Sequence, residues 1–387
     1  MSYLYIHLPV IARQFYRKTM KKNALTSKCQ SVYDYVKGLI NSGKHALGKR
    51  LPTDGQLMRK FSVSRGTVIK AMRDLEHEGL ILRRAGDGTY IKATAVNSAF
   101  VSIVIAGLGD TQFFEPICAR IAKACQNNKL SLILGTLDLT DPKEYRNEID
   151  QFCVHLKEQS VSGLFFAPDE SKSFSLLNGN QYFLDQLSRL GIQTVLLDRS
   201  DRPFPESCKH DLVGIDNFYV GYLQTRHLLD CGCKRIFYVA RSAFLSTKEA
   251  RIAGYRYAMK KAGHRVPDDW IFEGDVNNGG LAARILDGNP EGIACFHDPI
   301  AITLIHEFCS AGIGVPQQVK IVGVDDVHYS PFLPIPLTTI HQPCQEIANT
   351  AVALMLDRLV YNKLPPRDVR LSAELIVRQS TIDKITV

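Results

Sequence analysis

What this sequence lacks narrows the field first. No apolar run approaches the roughly 20 residues that span a bilayer, so no membrane helix is expected. No two cysteines stand in C-x-x-C spacing, and the ten cysteines are scattered, Cys231 and Cys233 being the closest pair. Zinc and disulfide frameworks are therefore not expected, and in a chain of this length without a secretion signal the thiols read as reduced and cytosolic. The patterns GxSxG, GxxxxGK[ST] and HExxH are missing, and Gly107-Leu-Gly109 is too short for a dinucleotide fingerprint. No enzyme, metal or cofactor is expected on those grounds. Acid is scarce at one end: residues 1–92 hold 18 Lys and Arg against 6 Asp and Glu, while the rest holds 29 against 33. A basic head on a slightly acidic body is the charge footprint of a nucleic-acid-binding domain.

At 387 residues the chain predicts two or three domains. Residues 1–26 put the apolar Tyr3–Ile11 before Arg13, Arg17, Lys18, Lys21 and Lys22, the reverse of a signal peptide. They are expected to be an N-terminal extension, either loosely docked or a basic arm on DNA. The head follows over 27–92, a small polar linker over 93–98, and the body over 99–387.

The head is organised around Leu51–Ile91. Thr53 precedes Gln56 by three residues, a capping-box spacing that opens a helix running to about Phe61. Ser62-Val63-Ser64 makes a turn, and Ser64 is placed to cap a second helix. Val68, Met72 and Leu75 at i, i+4 and i+7 form one buried stripe, and Gly79 stops the helix. Leu80–Arg84 and Thr89–Lys92 are short strands around a Gly86-Asp87-Gly88 turn, and an earlier helix covers Lys28–Asn41. The pattern is a winged helix-turn-helix. With the stripe buried, Arg65, Thr67 and Lys70 face the exposed N-terminal half of the second helix, the end that enters a major groove. An Arg there can give two hydrogen bonds to a guanine edge. The hydroxyls of Thr53, Ser64 and Thr67, with free helix N–H groups around Gly66, suit phosphates. Arg83, Arg84 and Gly86 belong to the wing, near a neighbouring phosphate or minor groove.

Leu51-Pro52, Val63-Ser64-Arg65, Thr67-Val68, Leu75, Glu78-Gly79 and Gly86-x-Gly88-Thr89 resemble the GntR family of bacterial transcription regulators. The resemblance covers about Ser27–Lys92 and implies binding to double-stranded operator DNA. Gly55, Ile69 and Asp87 depart from the family's usual residues at positions that commonly touch DNA, so the operator sequence does not carry over.

From Ala99 onwards the chain alternates strand-length apolar runs with amphipathic stretches of helix length. The runs are Val101–Ala106, Leu130–Gly135, Gly163–Ala167, Thr194–Leu197, Arg235–Ala240, Gly292–Phe296 and Lys320–Val324. Such alternation predicts an α/β class with parallel sheets covered on both faces, and the length predicts two lobes. Ligands in these sheets bind beyond the carboxyl ends of the strands. The residues there are Phe113 and Phe114, Asp198 and Arg199, His297 and Asp298, and Asp325 and Asp326. Aromatic faces, carboxylates and an Arg suit a sugar, and also a purine or another small polar molecule. Asp198, Asp298 and Asp326 equally suit helix caps, and the two Phe residues suit plain core.

Val195-Leu-Leu-Asp198-Arg199, Ile215-Asp216-Asn217, Arg251-Ile-Ala-Gly254-Tyr255, Phe296-His-Asp298, Val322-Gly-Val-Asp325-Asp326, Leu337-Thr-Thr-Ile-His-Gln-Pro343 and Glu374-Leu-Ile-Val-Arg378 resemble the LacI-family effector domain, itself similar to periplasmic sugar-binding proteins. The resemblance implies that Arg251 grips an effector, that Asp325 faces it, and that Phe113 and Phe114 line the cleft. Val276 falls where relatives often carry a stacking aromatic, and His297 where they carry Asn. That family's own DNA head and hinge helix are absent, and the winged head stands in their place.

Together these features lead us to expect a cytoplasmic, dimeric repressor of carbohydrate genes that binds operator DNA and answers to a small sugar-like effector. A purine-type effector is the alternative. A secreted sugar receptor has neither a DNA head nor this N-terminus, and a regulator without any effector would leave the body unstabilised by ligands.

Overall fold

The computed structural model describes residues 27–41, 50–84, 87–91, 99–105, 113–137, 144–169, 174–242, 246–276, 280–361 and 364–382. The expected extension over 1–26 and the linker over 93–98 lie outside them. The chain divides into two compact units, Met1–Asn97 and Ser98–Val387.

In the first unit α1 (Ser27–Asn41), α2 (Asp54–Phe61) and α3 (Arg65–His77) precede a two-stranded antiparallel wing, β1 (Ile81–Arg84) and β2 (Gly88–Ile91). Val68, Ala71, Met72 and Leu75 of α3 are fully buried against Val32 and Val36 of α1 and Leu57 of α2, as a 3.6-residue stripe requires. Ser62 takes a left-handed conformation (φ 49°) to end α2 and let α3 turn back. At the far end of α3 the Tyr33 hydroxyl donates to Glu78 at 2.6 Å and Lys37 joins it at 3.1 Å, which fixes α1 to the start of the wing.

The second unit holds two six-stranded sheets. The first lobe contains β3 (Ala99–Ile105), α4 (Phe114–Asn127), β4 (Leu130–Gly135), α5 (Tyr145–Glu158), β5 (Val161–Ala167), α6 (Phe174–Leu190), β6 (Gln193–Leu197) and β7 (Asp211–Ile215). The chain then crosses through α7 (Asn217–Asp230) into the second lobe. That lobe contains β8 (Ile236–Ala240), α8 (Ser246–Lys261), β9 (Ile271–Glu273), α9 (Gly280–Asp287), β10 (Gly292–Cys295), α10 (Asp298–Ser310), β11 (Lys320–Asp325) and β12 (Thr338–His341). It returns with α11 (Cys344–Val360) and β13 (Asp368–Leu371), and crosses a last time into β14 (Glu374–Ile376).

The strand orders are β13-β7-β6-β5-β3-β4 and β14-β12-β11-β10-β8-β9, all parallel except β12 with β14. The three crossings run side by side. Ile215 pairs with Leu371 across β7 and β13, and His341 pairs with Glu374 across β12 and β14. At the first lobe's end of these crossings Asp211 is fully buried and takes both Arg358 (2.6 and 2.9 Å) and Arg367 (2.7 Å). Burial alone would raise its carboxyl, but the two guanidiniums hold it below its ordinary value.

α7 and α8 approach backbone to backbone. A Cβ on Gly221 would collide with the Arg251 carbonyl oxygen, and one on Gly254 with the Phe218 carbonyl oxygen. Both positions are glycine because nothing larger fits, Gly254 being the glycine of the Arg251-Ile-Ala-Gly254-Tyr255 motif. None of the ten cysteines is in a disulfide, and among the described residues no helix is long and apolar enough to cross a membrane.

Candidate functional site

The head presents its cationic face on α3. The capping box at α2 is complete: the Gln56 amide donates to Thr53 Oγ1 (3.3 Å) and the Thr53 amide to Gln56 Oε1 (2.8 Å). Ser64 caps α3 through the Thr67 amide (3.3 Å), and the two hydroxyls share a hydrogen bond of 2.9 Å. Thr67 is accordingly half-buried, while Arg65, Gly66 and Lys70 are exposed. A Cβ on Gly66 would touch nothing nearer than Ser64 Oγ at 3.9 Å, so packing does not demand glycine there.

Arg83 departs from the expectation of a free wing charge. Its guanidinium lies 2.5 Å from Asp54, the first residue of α2, and so braces the wing against that helix. The Arg84 side chain and Gly86 lie outside the described residues. Two cations that the sequence reading passed over complete the face. Arg73 is exposed two turns beyond Arg65, and the helical period alone placed it there. Arg50 pairs through its backbone with Tyr90 and lays its guanidinium over Gly88, which sits at φ +134°. Only the fold brings Arg50 to the wing.

In the body the carboxyl ends of both sheets meet at a cleft. Arg251 of α8 is buried and donates to Asn217 Oδ1 (2.8 Å) and to the Phe296 carbonyl, whose ring it also faces at 4.7 Å. Asn217 is the first residue of α7, so this bond joins the first crossing to the floor of the second lobe. Asp325, at the end of β11 with φ 114°, accepts from Gln342 Nε2 at 2.7 Å. Burial pushes its carboxyl up to about 8. On the first lobe Asp198 (φ 64°) is buried, and Arg199 lies beside it at 3.7 Å, donates to the Pro168 carbonyl (3.1 Å) and faces the Phe114 ring at 5.0 Å. The Asp198 carboxylate adds a small push in the same direction to the Asp325 carboxyl.

Two buried acceptors there, Asp198 Oδ1 and Gln342 Oε1, have no donor among the described residues. A cavity of about 260 Å³ opens beside this row, from Asp198 and Arg202 past Asn217 and Phe218 to Thr247 at the start of α8. It reaches the residues that flank Arg251 but neither Arg251 nor Asp325 itself.

The remaining expected residues are held as follows. Asp298 is fully buried, and its carboxylate accepts from Thr339 Oγ1 (2.5 Å), Ser330 Oγ (3.0 Å) and the Val327 amide (3.0 Å). With those donors in place it braces the loop after β11, behind the cleft. His297, not Asp298, caps α10: its Nδ1 accepts from the Ile300 amide at 3.2 Å. Burial, then Arg241, Arg251 and Arg199, push that imidazole down to about 3, so it is neutral. Val276 is buried in the second lobe's apolar cluster with Leu281 and Ile285. Phe113 and Phe114 pack edge to face at 4.9 Å and show little surface, Phe114 offering its ring to Arg199. Asp326 caps no helix; it pairs with Arg378 (2.7 Å) and His341 (3.0 Å).

Comparison with known proteins places both units. The model of the bacterial regulatory proteins of the gntR family matches residues 28–91, and that of the periplasmic binding protein-like domain matches 225–381. The chain is 30% identical over 286 residues to the HTH-type transcriptional repressor PurR of Aliivibrio salmonicida (strain LFI1238), spanning 71% of this chain and 80% of the relative. Among solved structures it is similar to a complex of the transcriptional regulator CelR with cellobiose, with a TM-score of 0.63 at 20% identity over 85% of this chain and 100% of that one. It is also similar to a LacI family regulator from Enterococcus faecium with bound ribose, with a TM-score of 0.58 at 23% identity over 73% and 98%. At these identities the structures speak for the fold.

Proposed function

This chain belongs to the family of HTH-type transcriptional repressors that includes PurR, with a gntR-type head, and from that premise we propose that it is a cytoplasmic homodimer repressing carbohydrate-use genes under a sugar effector. The head binds operator DNA through α3, with Arg65 at a base edge and Lys70, Arg73, Arg50 and the Ser64–Thr67 corner towards phosphates. The body closes on the effector between its lobes and has no catalytic role. Closure changes the spacing of two heads in the dimer, and the coupling is reciprocal: operator lowers effector affinity by the factor by which effector lowers operator affinity.

One observation carries the choice of a sugar: Asp198 Oδ1 and Gln342 Oε1 are buried acceptors without donors beside Asp325, and hydroxyl groups supply donors to such atoms. A purine is the second reading, favoured by the PurR relatives. Thermal unfolding of the whole protein against pentoses, hexoses and purines tests the effector. A ligand at 100 times its Kd adds about 2.7 kcal/mol of stability. A sugar shift that Arg251→Ala abolishes supports the reading, and a shift from purines alone replaces the sugar.

A further inference from the structure

Arg241 is the residue that follows β8. In that strand Val239 pairs with Cys295 of β10, and Ala294 of β10 pairs with Val322 of β11. Continuing the same parallel register brings Arg241, His297 and Asp325 into one row across the mouth of the second lobe. Arg199 from the first lobe and Arg251 from α8 act electrostatically on the same His297 imidazole as Arg241 does.

The three differ in what they hold. Arg199 is bound to the Pro168 carbonyl and lies beside Asp198. Arg251 is bound to Asn217 and the Phe296 carbonyl. Arg241 is exposed and has no hydrogen bond or ion pair among the described residues. Nor does the row neutralise it. His297 accepts an amide hydrogen bond and carries no charge, and the carboxyl of Asp325 is largely protonated at neutral pH. A guanidinium fork that makes no ion pair among the described residues is open to an oxyanion, which it binds through two parallel hydrogen bonds. The acceptors Asp198 Oδ1 and Gln342 Oε1 in the same cleft call for hydroxyl donors.

We propose that the effector is an anionic sugar derivative, its hydroxyls held by Asp198 and Gln342 and its phosphate or carboxylate by Arg241. This rests on the reading of the interlobe cleft as the effector site. The test is thermal unfolding of the whole protein against matched probes: glucose, glucose 6-phosphate and gluconate; ribose, ribose 5-phosphate and ribonate; with adenine, hypoxanthine and inorganic phosphate as controls. An anionic member should raise the Tm where its neutral parent and inorganic phosphate do not, and the member that acts tells phosphate from carboxylate. Arg241→Gln should weaken that ligand about tenfold or more, and Arg241→Lys less, since a charged hydrogen bond is lost in the first only. A neutral sugar or purine that binds wild type and Arg241→Gln equally, and is lost in Arg251→Ala, overturns the anion while leaving the cleft as the effector site. No shift from any probe counts against both.

Discussion

Gly254→Ala asks whether the α7–α8 contact sets the effector site as well as the fold. A methyl at Gly254 would collide with the Phe218 carbonyl oxygen and stand 2.8 Å from the Tyr222 amide nitrogen. Both obstacles are backbone atoms of α7, so no side chain can swing aside, and the helices must part by about 1 Å. Overpacking of this kind costs about 1–3 kcal/mol, and the rigid neighbours put this case near 3. For a body of this size that lowers the Tm by about 5 °C. The helices cannot part without moving Arg251, one turn before Gly254, away from Asn217 at the start of α7, now 2.8 Å apart. Loss of effector response is therefore expected at temperatures where the body is still folded, with operator binding by the head retained. Urea unfolding followed by circular dichroism gives the stability, and ligand-induced Tm shifts give the response. Gly38→Ala in α1 is the control: nothing lies within 4 Å of its Cβ, and helix propensity alone should add about 0.5–1 kcal/mol to the head. A Gly254→Ala protein with an unchanged unfolding midpoint and normal response would refute the argument.

Arg358→Ala strips the fully buried Asp211 of its bidentate partner, leaving Arg367 alone to balance it, and should cost about 3–5 kcal/mol, read from the urea midpoint; a loss below about 1 kcal/mol would show that Arg367 suffices. Asp325 has its folded value raised to about 8 from the ordinary 3.8, so the folded body holds a proton there that the unfolded chain has released. The stability of wild type relative to Asp325→Asn should fall as pH rises from about 4 to about 8, and a constant difference across that window would contradict the assignment. Arg65→Ala should cost about 1–3 kcal/mol on operators selected from random duplexes and relax preference at one base pair, whereas Lys70→Ala should weaken all sequences alike and flatten the salt dependence; identical selected sequences for Arg65→Ala and wild type would remove Arg65 from base reading.

The head was legible because its determinants are local. The Thr53–Gln56 spacing, the Val68–Met72–Leu75 stripe and Gly79 each act within a few positions, and α2, α3 and the wing follow within a residue or two. The longer strands of the body showed as apolar runs. β7 did not, because it opens on Asp211, and that aspartate is tolerable inside only once Arg358 arrives from 147 positions away. β9, β12, β13 and β14 are three or four residues each, too short for periodicity to register. The site divides in the same way. Arg251 and Asp325 came from motif resemblance, but the role of Asp298 is set by donors 29, 32 and 41 positions further on. Asn217, Gln342 and Arg241 acquire meaning only when the two lobes and the crossing strands are in place.

The three adjacent crossings also limit what the body can report. Segments tied side by side, Ile215 to Leu371 and His341 to Glu374, resist twist and shear while allowing one common bend. The lobes then have a single coordinate along which to respond, open or shut. On the proposed reading every ligand that shuts them sends the same message whatever its structure, so discrimination between metabolites is completed at the cleft, before the bend, because nothing downstream can recover it.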